Sequence, residues 1–572
     1  MASTSMPWCA TPSGTIRSLV EGCWHSPVDR VGRFRFKHLM KSNRPPTVEE
    51  LMAQLAASAA AIAALTAEKE ALSQRVVKLE EELALARLHR FAPRSEKRPD
   101  RIFNEAEQLA VAAKLDGDDA DHGAAADLPD TGLPPVADGE GRKRGRKPLP
   151  ENLPRVRVEY DLPEDQKACP CCHGRMHRMG ETITEQLHIE VKAKVLENVR
   201  FKYACRQCDR TGITTPVVTA PMPAQPLPGS IATASTLAFA LVHKYVDGTP
   251  LYRLAQSFER AGVPVSRGAL GHWVIGTSER HLSRLYDALK LRLRSQPLIH
   301  GDETTVQVLK EKDKEATSTS YMWAYRSGED SDAPIVLLDY QPGRGQIYPQ
   351  AFLDDYRGIL MSDGYAAWRT LGGATHLGCM AHARRRFVDA LKARPKPGGP
   401  PEQALTFFEQ LYRVEKQARN EKPDTGETQA DHIRRFRQQH SIPVLDALKQ
   451  WLDAMAPKVP PDSKLGDAIS YALNQWPYLT RYADDGRMPI DNNLLERDIR
   501  LFATGRKNWL FSDTVEGARA SAVVYSLMLT CRACGVEPLA WLRHVLTELP
   551  QRAADADIDD LMPFNFAKTH AA

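Results

Sequence analysis

Three acidic residues are set where they could do chemistry. In the run Asp491-Asn-Asn-Leu-Leu-Glu496-Arg-Asp-Ile-Arg500, helical spacing puts Asn492 and Glu496 one turn apart. Asn493, Glu496 and Arg500 fall on nearly the same stripe, and Leu494, Leu495 and Ile499 can turn toward a core. Two apolar runs each end in an aspartate: Leu298-Ile-His-Gly-Asp302 and Gly358-Ile-Leu-Met-Ser-Asp363. Both read as buried strands that deliver a carboxylate. Two Asp from strands and one Glu from a later helix can hold two divalent cations, which activate an attacking oxygen and stabilise a leaving oxygen in phosphoryl transfer. Taken alone, the run 491–500 reads equally well as a solvated amphipathic helix. Glu303 and Asp491 stand as alternative ligands.

The surrounding elements must bring these residues together. After Asp302 the first strand continues over Thr304–Leu309, and Tyr321–Tyr325 and Pro334–Tyr340 read as two more. A helix around Gln346–Leu353 leads to the strand ending at Asp363. His376–Cys379 reads as a fifth strand and Ala381–Ala390 as a basic helix. That order is the order of a ribonuclease-H-like α/β core, in which the Asp on the first and fourth strands meet. Residues 393–488 read as a helical insertion, with helices over Ala404–Gln417 and His432–Met455, and residues 489–530 complete the core with the Glu helix.

A second chemistry lies upstream. Cys169/Cys172 and Cys205/Cys208 are two C-x-x-C pairs separated by 32 residues. Such pairs point to a closed tetrahedral zinc site. Leu187 to Val195 alternates, and Val199, Phe201 and Tyr203 alternate after a turn, so two strands out and back would reunite the pairs. Cys171 and His173 are spare ligands. Cys531 and Cys534 lie in an apolar helical run and read as core thiols.

Two stretches read as DNA contacts. Gly141-Arg142-Lys143-Arg144-Gly-Arg146-Lys147-Pro148 is a thin basic ribbon that resembles an AT-hook and suits the minor groove of A·T-rich DNA. A solubilising charge run is the plainer reading. Leu251 to Val274, with Gly262 in a turn and Ser266 as N-cap, fits a helix-turn-helix. Ordinary helical hairpins give the same spacing. From Val48 a heptad pattern holds, with Leu55, Ile62 and Val76 at a, Leu65, Leu72 and Leu79 at d, and Lys69 as a polar insertion at a. It predicts a coiled coil and self-association.

The totals set bounds. With 572 residues, 42% hydrophobic and 26% charged, this is an ordinary multidomain globular composition, and a net charge of +4 decides no partner. Ten cysteines, five of them between 169 and 208, are not a disulfide scaffold. Runs apolar enough for a membrane span and a signal segment are not expected, so the reading is cytoplasmic, in association with the nucleoid. The expected organisation is multidomain α+β and α/β. It comprises an atypical arm (1–44), a coiled coil (45–92), a linker with the basic run (93–152), a zinc-binding β-hairpin knuckle (153–218) and a helix-turn-helix-like segment (219–290). The catalytic core (291–392 and 489–530) is interrupted by the insertion, and a helical tail (531–572) closes the chain.

These pieces together resemble transposases of the insertion sequence 66 family, which are D-D-E transposases. The matching stretches are Gly-Asp302-Glu-Thr, Ser-Asp363-Gly-Tyr, Cys379-Met-Ala-His382-Ala-Arg-Arg, Asp491-Asn-Asn-Leu-Leu-Glu496-Arg, Gly505-Arg-Lys-Asn-Trp-Leu-Phe511 and Leu561-Met-Pro-Phe-Asn-Phe, with the cysteine knuckle and coiled coil. The resemblance covers about 45–566. It implies that Asp302, Asp363 and Glu496 bind Mg²⁺ or Mn²⁺ and that the chain cuts and joins DNA at an element's ends, with helper proteins of the same element as further partners. On the residues themselves, His382, Arg384, Arg385, Arg386, Arg500, Arg506 and Lys507 are candidates to grip phosphates. Surface salt bridges are as good a reading for each arginine. A repair nuclease without strand transfer, or a non-catalytic DNA-binding regulator, would share many of these features.

Overall fold

Thr47 and Glu50 start the first described helix by capping each other: the Thr47 N–H donates to Glu50 Oε2 at 2.8 Å and the Glu50 N–H to Thr47 Oγ1 at 3.3 Å. The structure is a computed structural model that describes residues 47–91, 193–203 and 218–569. It divides into two units, 1–77 and 78–572. In the first, helix α1 (Val48–Phe91) begins. Its a and d residues are exposed, Leu55 at 71%, Ile62 at 66% and Leu65 at 65%, which leaves an apolar stripe uncovered. Because Ala dilutes the charges, one 18-residue window of α1 is apolar enough by composition to cross a membrane, contrary to the sequence expectation. The arm (1–44), the basic run Arg142–Lys147 and all four knuckle cysteines lie outside the described residues.

In the second unit, most of the first strand of the expected knuckle hairpin lies outside the described residues. Strand β1 (Lys202–Tyr203) pairs instead with β2 (Val218–Thr219), antiparallel. Among the described residues, Val195, Val199 and Phe201 are exposed.

Three helices follow: α2 (Ala234–Tyr245), α3 (Leu251–Arg260) and α4 (Arg267–Thr277). Ser266 caps α4 by accepting the Ala269 N–H at 3.1 Å, as its sequence position predicts. Phe258 meets Trp273 edge-on at 6.2 Å, closing the α3–α4 hairpin, and Arg267, Gly268 and His272 remain exposed on α4. Helix α5 (Ser283–Arg294) leads into the sheet.

The sheet is built around β3 (Leu298–Lys310). It pairs antiparallel with β4 (Thr319–Ser327), which pairs antiparallel with β5 (Val336–Gln341). A short helix α6 (Ile347–Leu353) crosses to β6 (Ile359–Ser362), parallel to the other side of β3. Helix α7 (Ala366–Arg369) precedes β7 (Thr375–Gly378), parallel to β6, which gives the order β5-β4-β3-β6-β7. Buried β-branched, aromatic and long aliphatic side chains fill both faces: Leu360 enters one core cluster and its neighbour Met361 the other. Gly301 is required in β3 because a Cβ there would lie 2.6 Å from the Trp368 ring.

Helix α8 (Met380–Ala393) begins the second layer, followed by α9 (Pro400–Asn420), α10 (Gln429–Met455) and α11 (Lys464–Leu479). The chain then returns to the sheet as α12 (Asn493–Trp509), β8 (Ser512–Thr514) on the far end of β3, and α13 (Val515–Ala533). Ser526 and Thr530, one turn apart on α13, accept the Leu338 and Val336 N–H groups at 2.7 and 3.1 Å. The outer edge of β5 is thereby closed. Cys531 is buried in the same core. Helices α14 (Pro538–Glu548) and α15 (Pro563–Thr569) complete that cluster, so the segments 219–290 and 531–569 share one core with the sheet.

The loop before α12 is fixed by Arg437, which is fully buried. Its Nε and Nη2 meet Glu415 at 2.6 and 2.8 Å, and its Nη1 donates to the carbonyls of Tyr482, Asp485 and Met488 at 2.7 to 2.9 Å. Removing one partner of a buried ion pair strands the other. Arg437→Met is expected to destabilise the protein by about 3–5 kcal/mol in urea unfolding. Arg435→Met, which breaks an exposed pair with Glu427 and Asp424, is expected to leave the unfolding midpoint nearly unchanged.

Candidate active site

Asp302 is buried near the middle of β3, and its Oδ1 accepts the Glu303 N–H at 2.8 Å. The parallel register pairs His300 with Met361. Two residues further along each chain, Asp302 comes level with Asp363, one residue past the end of β6. There Oδ1 of Asp363 accepts the Tyr365 N–H at 2.8 Å, and Gly364, at φ +88°, turns the chain away. A side chain on Gly364 would strike Gln475.

Glu496 comes from the first turn of α12, and three contacts fix that helix against the sheet. At its start, Asn492 is fully buried. Its Nδ2 donates to the Gly301 carbonyl at 3.1 Å and its Oδ1 accepts from His300 Nδ1 at 2.8 Å. Burial pushes the His300 imidazole down to about 4, so it is neutral and donates through Nδ1. Midway, Asp498 pairs with Arg326 of β4. At the far end, Arg506 Nη1 donates to the hydroxyls of Thr304 and Thr305 at 3.1 and 3.2 Å. Leu495 and Ile499 are buried as expected, whereas Leu494 is half-exposed. Asn492 precedes the helix rather than lying on its face.

Glu496 is fully buried, and neither of its carboxylate oxygens has a hydrogen-bond partner among the described residues. Burial, and then the charges of Asp302, Asp491 and Asp363, push its pKa well up, while Arg385 opposes them. The two alternative ligands are otherwise engaged. Glu303 Oε1 receives Arg344 Nε at 2.7 Å and Nη2 at 2.5 Å, and its Oε2 receives Trp368 Nε1 at 3.0 Å. Burial and the Asp363 charge raise Glu303 to about 7 despite Arg344. Asp491 accepts the Tyr412 hydroxyl at 2.8 Å and both the Asn493 amide and backbone N–H groups, at 2.8 and 3.0 Å. A buried carboxylate with unmet acceptor capacity, crowded by like charges, fits a divalent cation.

The family comparisons bear on this geometry. A model described as Transposase IS66 family matches residues 229–520. The chain belongs to that family. An IS66 C-terminal element matches 526–564, a zinc-finger binding domain of transposase IS66 matches 166–209, and a segment described as Transposase C of IS166 homeodomain matches 78–158. The zinc-finger match includes all four expected cysteine ligands. The homeodomain match falls on the second half of the heptad stretch and the linker, where the sequence shows only a basic run. Curated relatives from Sinorhizobium fredii (strain NBRC 101917 / NGR234) include uncharacterized protein y4jD, 33% identical over 77% of this chain and 86% of its own. Uncharacterized protein y4qI is 30% identical over 90% of this chain and 93% of its own.

Within this family member, the expected phosphate-gripping residues separate into groups. His382 is buried, with Nδ1 3.9 Å from Glu496 Oε1. Arg385 sets its charge on Glu496 and Arg386 on Asp363. Arg384 is half-buried and sets its charge on Tyr412, and Lys507 is exposed. Arg500 lines a separate cleft of about 530 Å³ with Lys416, Arg419 and Arg497. Arg506 is buried against β3, which makes it part of the scaffold. Sequence reasoning missed Arg344 and Arg369. Arg344 lies 3.9 Å over the Tyr365 ring and Arg369 3.7 Å over the Tyr478 ring. Both carry charge toward Asp363, and nothing local in their sequence marks them.

The raised pKa of Glu496 has a measurable consequence. Ionising it at neutral pH without a cation works against folding, so the isosteric Glu496→Gln is expected to melt several degrees above the wild type in EDTA. An equal or lower melting temperature would mean that the carboxylate is already compensated.

Proposed function

We propose that this chain is a D-D-E transposase that cuts DNA at the ends of an insertion sequence and joins the freed 3′-hydroxyl to target DNA. The observation that carries this reading is the convergence of Asp302, Asp363 and Glu496, with Glu496 buried and without a hydrogen-bond partner among the described residues. The order of three antiparallel strands followed by two parallel ones supports a ribonuclease-H-like core, into which residues 393–488 are inserted.

Asp302, Asp363 and Glu496 would hold Mg²⁺ or Mn²⁺. When bound, two such ions supply charge neutralisation at the phosphodiester and activation of the attacking oxygen. The chain's own residues do the rest. Asn492, Asp498 and Arg506 orient the helix that presents Glu496. Arg384, Arg385 and Arg386 place positive charge beside the carboxylates, where a phosphate backbone would lie. Trp368 and Arg344 keep Glu303 out of the acidic cluster.

Around this centre we assign Cys169, Cys172, Cys205 and Cys208 to one structural zinc ion. Arg142, Lys143, Arg144, Arg146 and Lys147 would track a narrow minor groove, α3–α4 a second DNA segment, and Arg500 and Lys507 the backbone. The apolar stripe of α1 supports self-association. Leu65→Asp with Leu72→Asp is expected to shift the protein to monomer in light scattering; an unchanged mass would refute a coiled coil here.

The deciding assay uses purified protein and a plasmid carrying the element's own ends. Mg²⁺-dependent nicking at the ends, followed by joining to a second DNA, is expected. EDTA, Asp302→Asn and Glu496→Gln should each lower it by at least about 10³-fold. Cutting without joining would make the chain a nuclease. Binding without cutting, with wild-type protein in Mg²⁺, would overturn the catalytic reading.

A further inference from the structure

Beside the acidic residues lies a donor set of another chemical character. Cys379 precedes α8 and His382 sits in its first turn, and both are buried. One ligand atom each from Cys379, His382 and Glu496 lie within 4.8 Å of one another. The Glu496 oxygens, fully buried and without hydrogen-bond partners among the described residues, face this pair. The backbone N–H of Asn492 donates to Cys379 Sγ at 3.3 Å, which holds the sulfur in place.

Magnesium takes oxygen ligands and has little use for a thiolate. A thiolate, an imidazole and a carboxylate together form a set for a borderline ion, zinc above all. Three protein ligands also leave a fourth position open to water or a phosphate oxygen.

We propose that Cys379, His382 and Glu496 form a binding site for one zinc ion per chain, separate from the cysteine knuckle. Binding deprotonates the Cys379 thiol and the Glu496 carboxyl and releases those protons to solvent, while His382 coordinates as neutral imidazole. No electron transfer is involved. Because Glu496 is shared, zinc here competes with magnesium for the carboxylate that the acidic cluster needs. This competition rests on the transposase reading; the zinc site itself does not.

The test uses the full chain produced in cobalt-supplemented medium, with cobalt as the zinc probe. Wild type should carry one more metal ion per chain than Cys379→Ser or His382→Gln. It should also show a larger sulfur-to-cobalt charge-transfer absorbance than Cys379→Ser. Serine keeps the small size of the site and an acceptor for the Asn492 N–H. Equal metal content and superimposable spectra would overturn the proposal. If both variants fail to fold, the wild type still decides: one ion per chain, accounted for by the knuckle, would refute the site. None of these readouts uses DNA, so the proposal can fail while strand transfer stands, and the reverse.

Discussion

Carboxylates repel one another, and the repulsion grows as water is excluded. Bringing Asp302, Asp363 and Glu496 together in a buried pocket is therefore the constraint on which the rest of the structure depends. The backbone has to be held by contacts that owe nothing to the acids themselves. Helix α12 meets that need with its three ties to β3 and β4: an amide bridge at Asn492, an ion pair at Asp498 and a guanidinium at Arg506. Asp302 needs no separate tie, because β3 is the central strand, with neighbours on both sides.

The same logic explains the residues that look reactive and are not. Glu303 and Asp491 flank the cluster in sequence, yet each is saturated by donors from a different element: Glu303 by Arg344 and Trp368, Asp491 by Tyr412 and Asn493. Among the described residues, partner count thus sets Glu496 apart from Glu303 and Asp491. Glu496 stands out by what it lacks, an arrangement that costs stability and that proteins keep at working sites.

Much of this was legible in the sequence. The apolar runs that deliver Asp302 and Asp363, the strand-like stretches 321–325 and 334–340 and the cap at Ser266 are local signals, and the structure places the corresponding elements within a few residues. The expected knuckle hairpin lies largely outside the described residues, where Val195, Val199 and Phe201 are exposed at its edge. The roles of Arg437, Arg344 and Asn492 were illegible for a different reason. Each acts through partners tens to hundreds of residues away, and no short pattern encodes such a partner. Arg506 was misjudged on the same ground: its local setting is basic and solvent-like, but Thr304 and Thr305 draw it inward.

The closing of β5 by Ser526 and Thr530 gives the molecule a chronology. On a ribosome, both aspartates and strands β3 to β7 emerge first, and then the long helical layer must be made before Glu496 and β8 appear. Until α13 follows, the β5 edge has no cover and the core no lid. An interrupted product that stops before α12 holds two acids of the cluster, on a sheet whose β5 edge Ser526 and Thr530 do not yet cover. The chain thereby ties the assembly of its acidic cluster to the completion of its own synthesis.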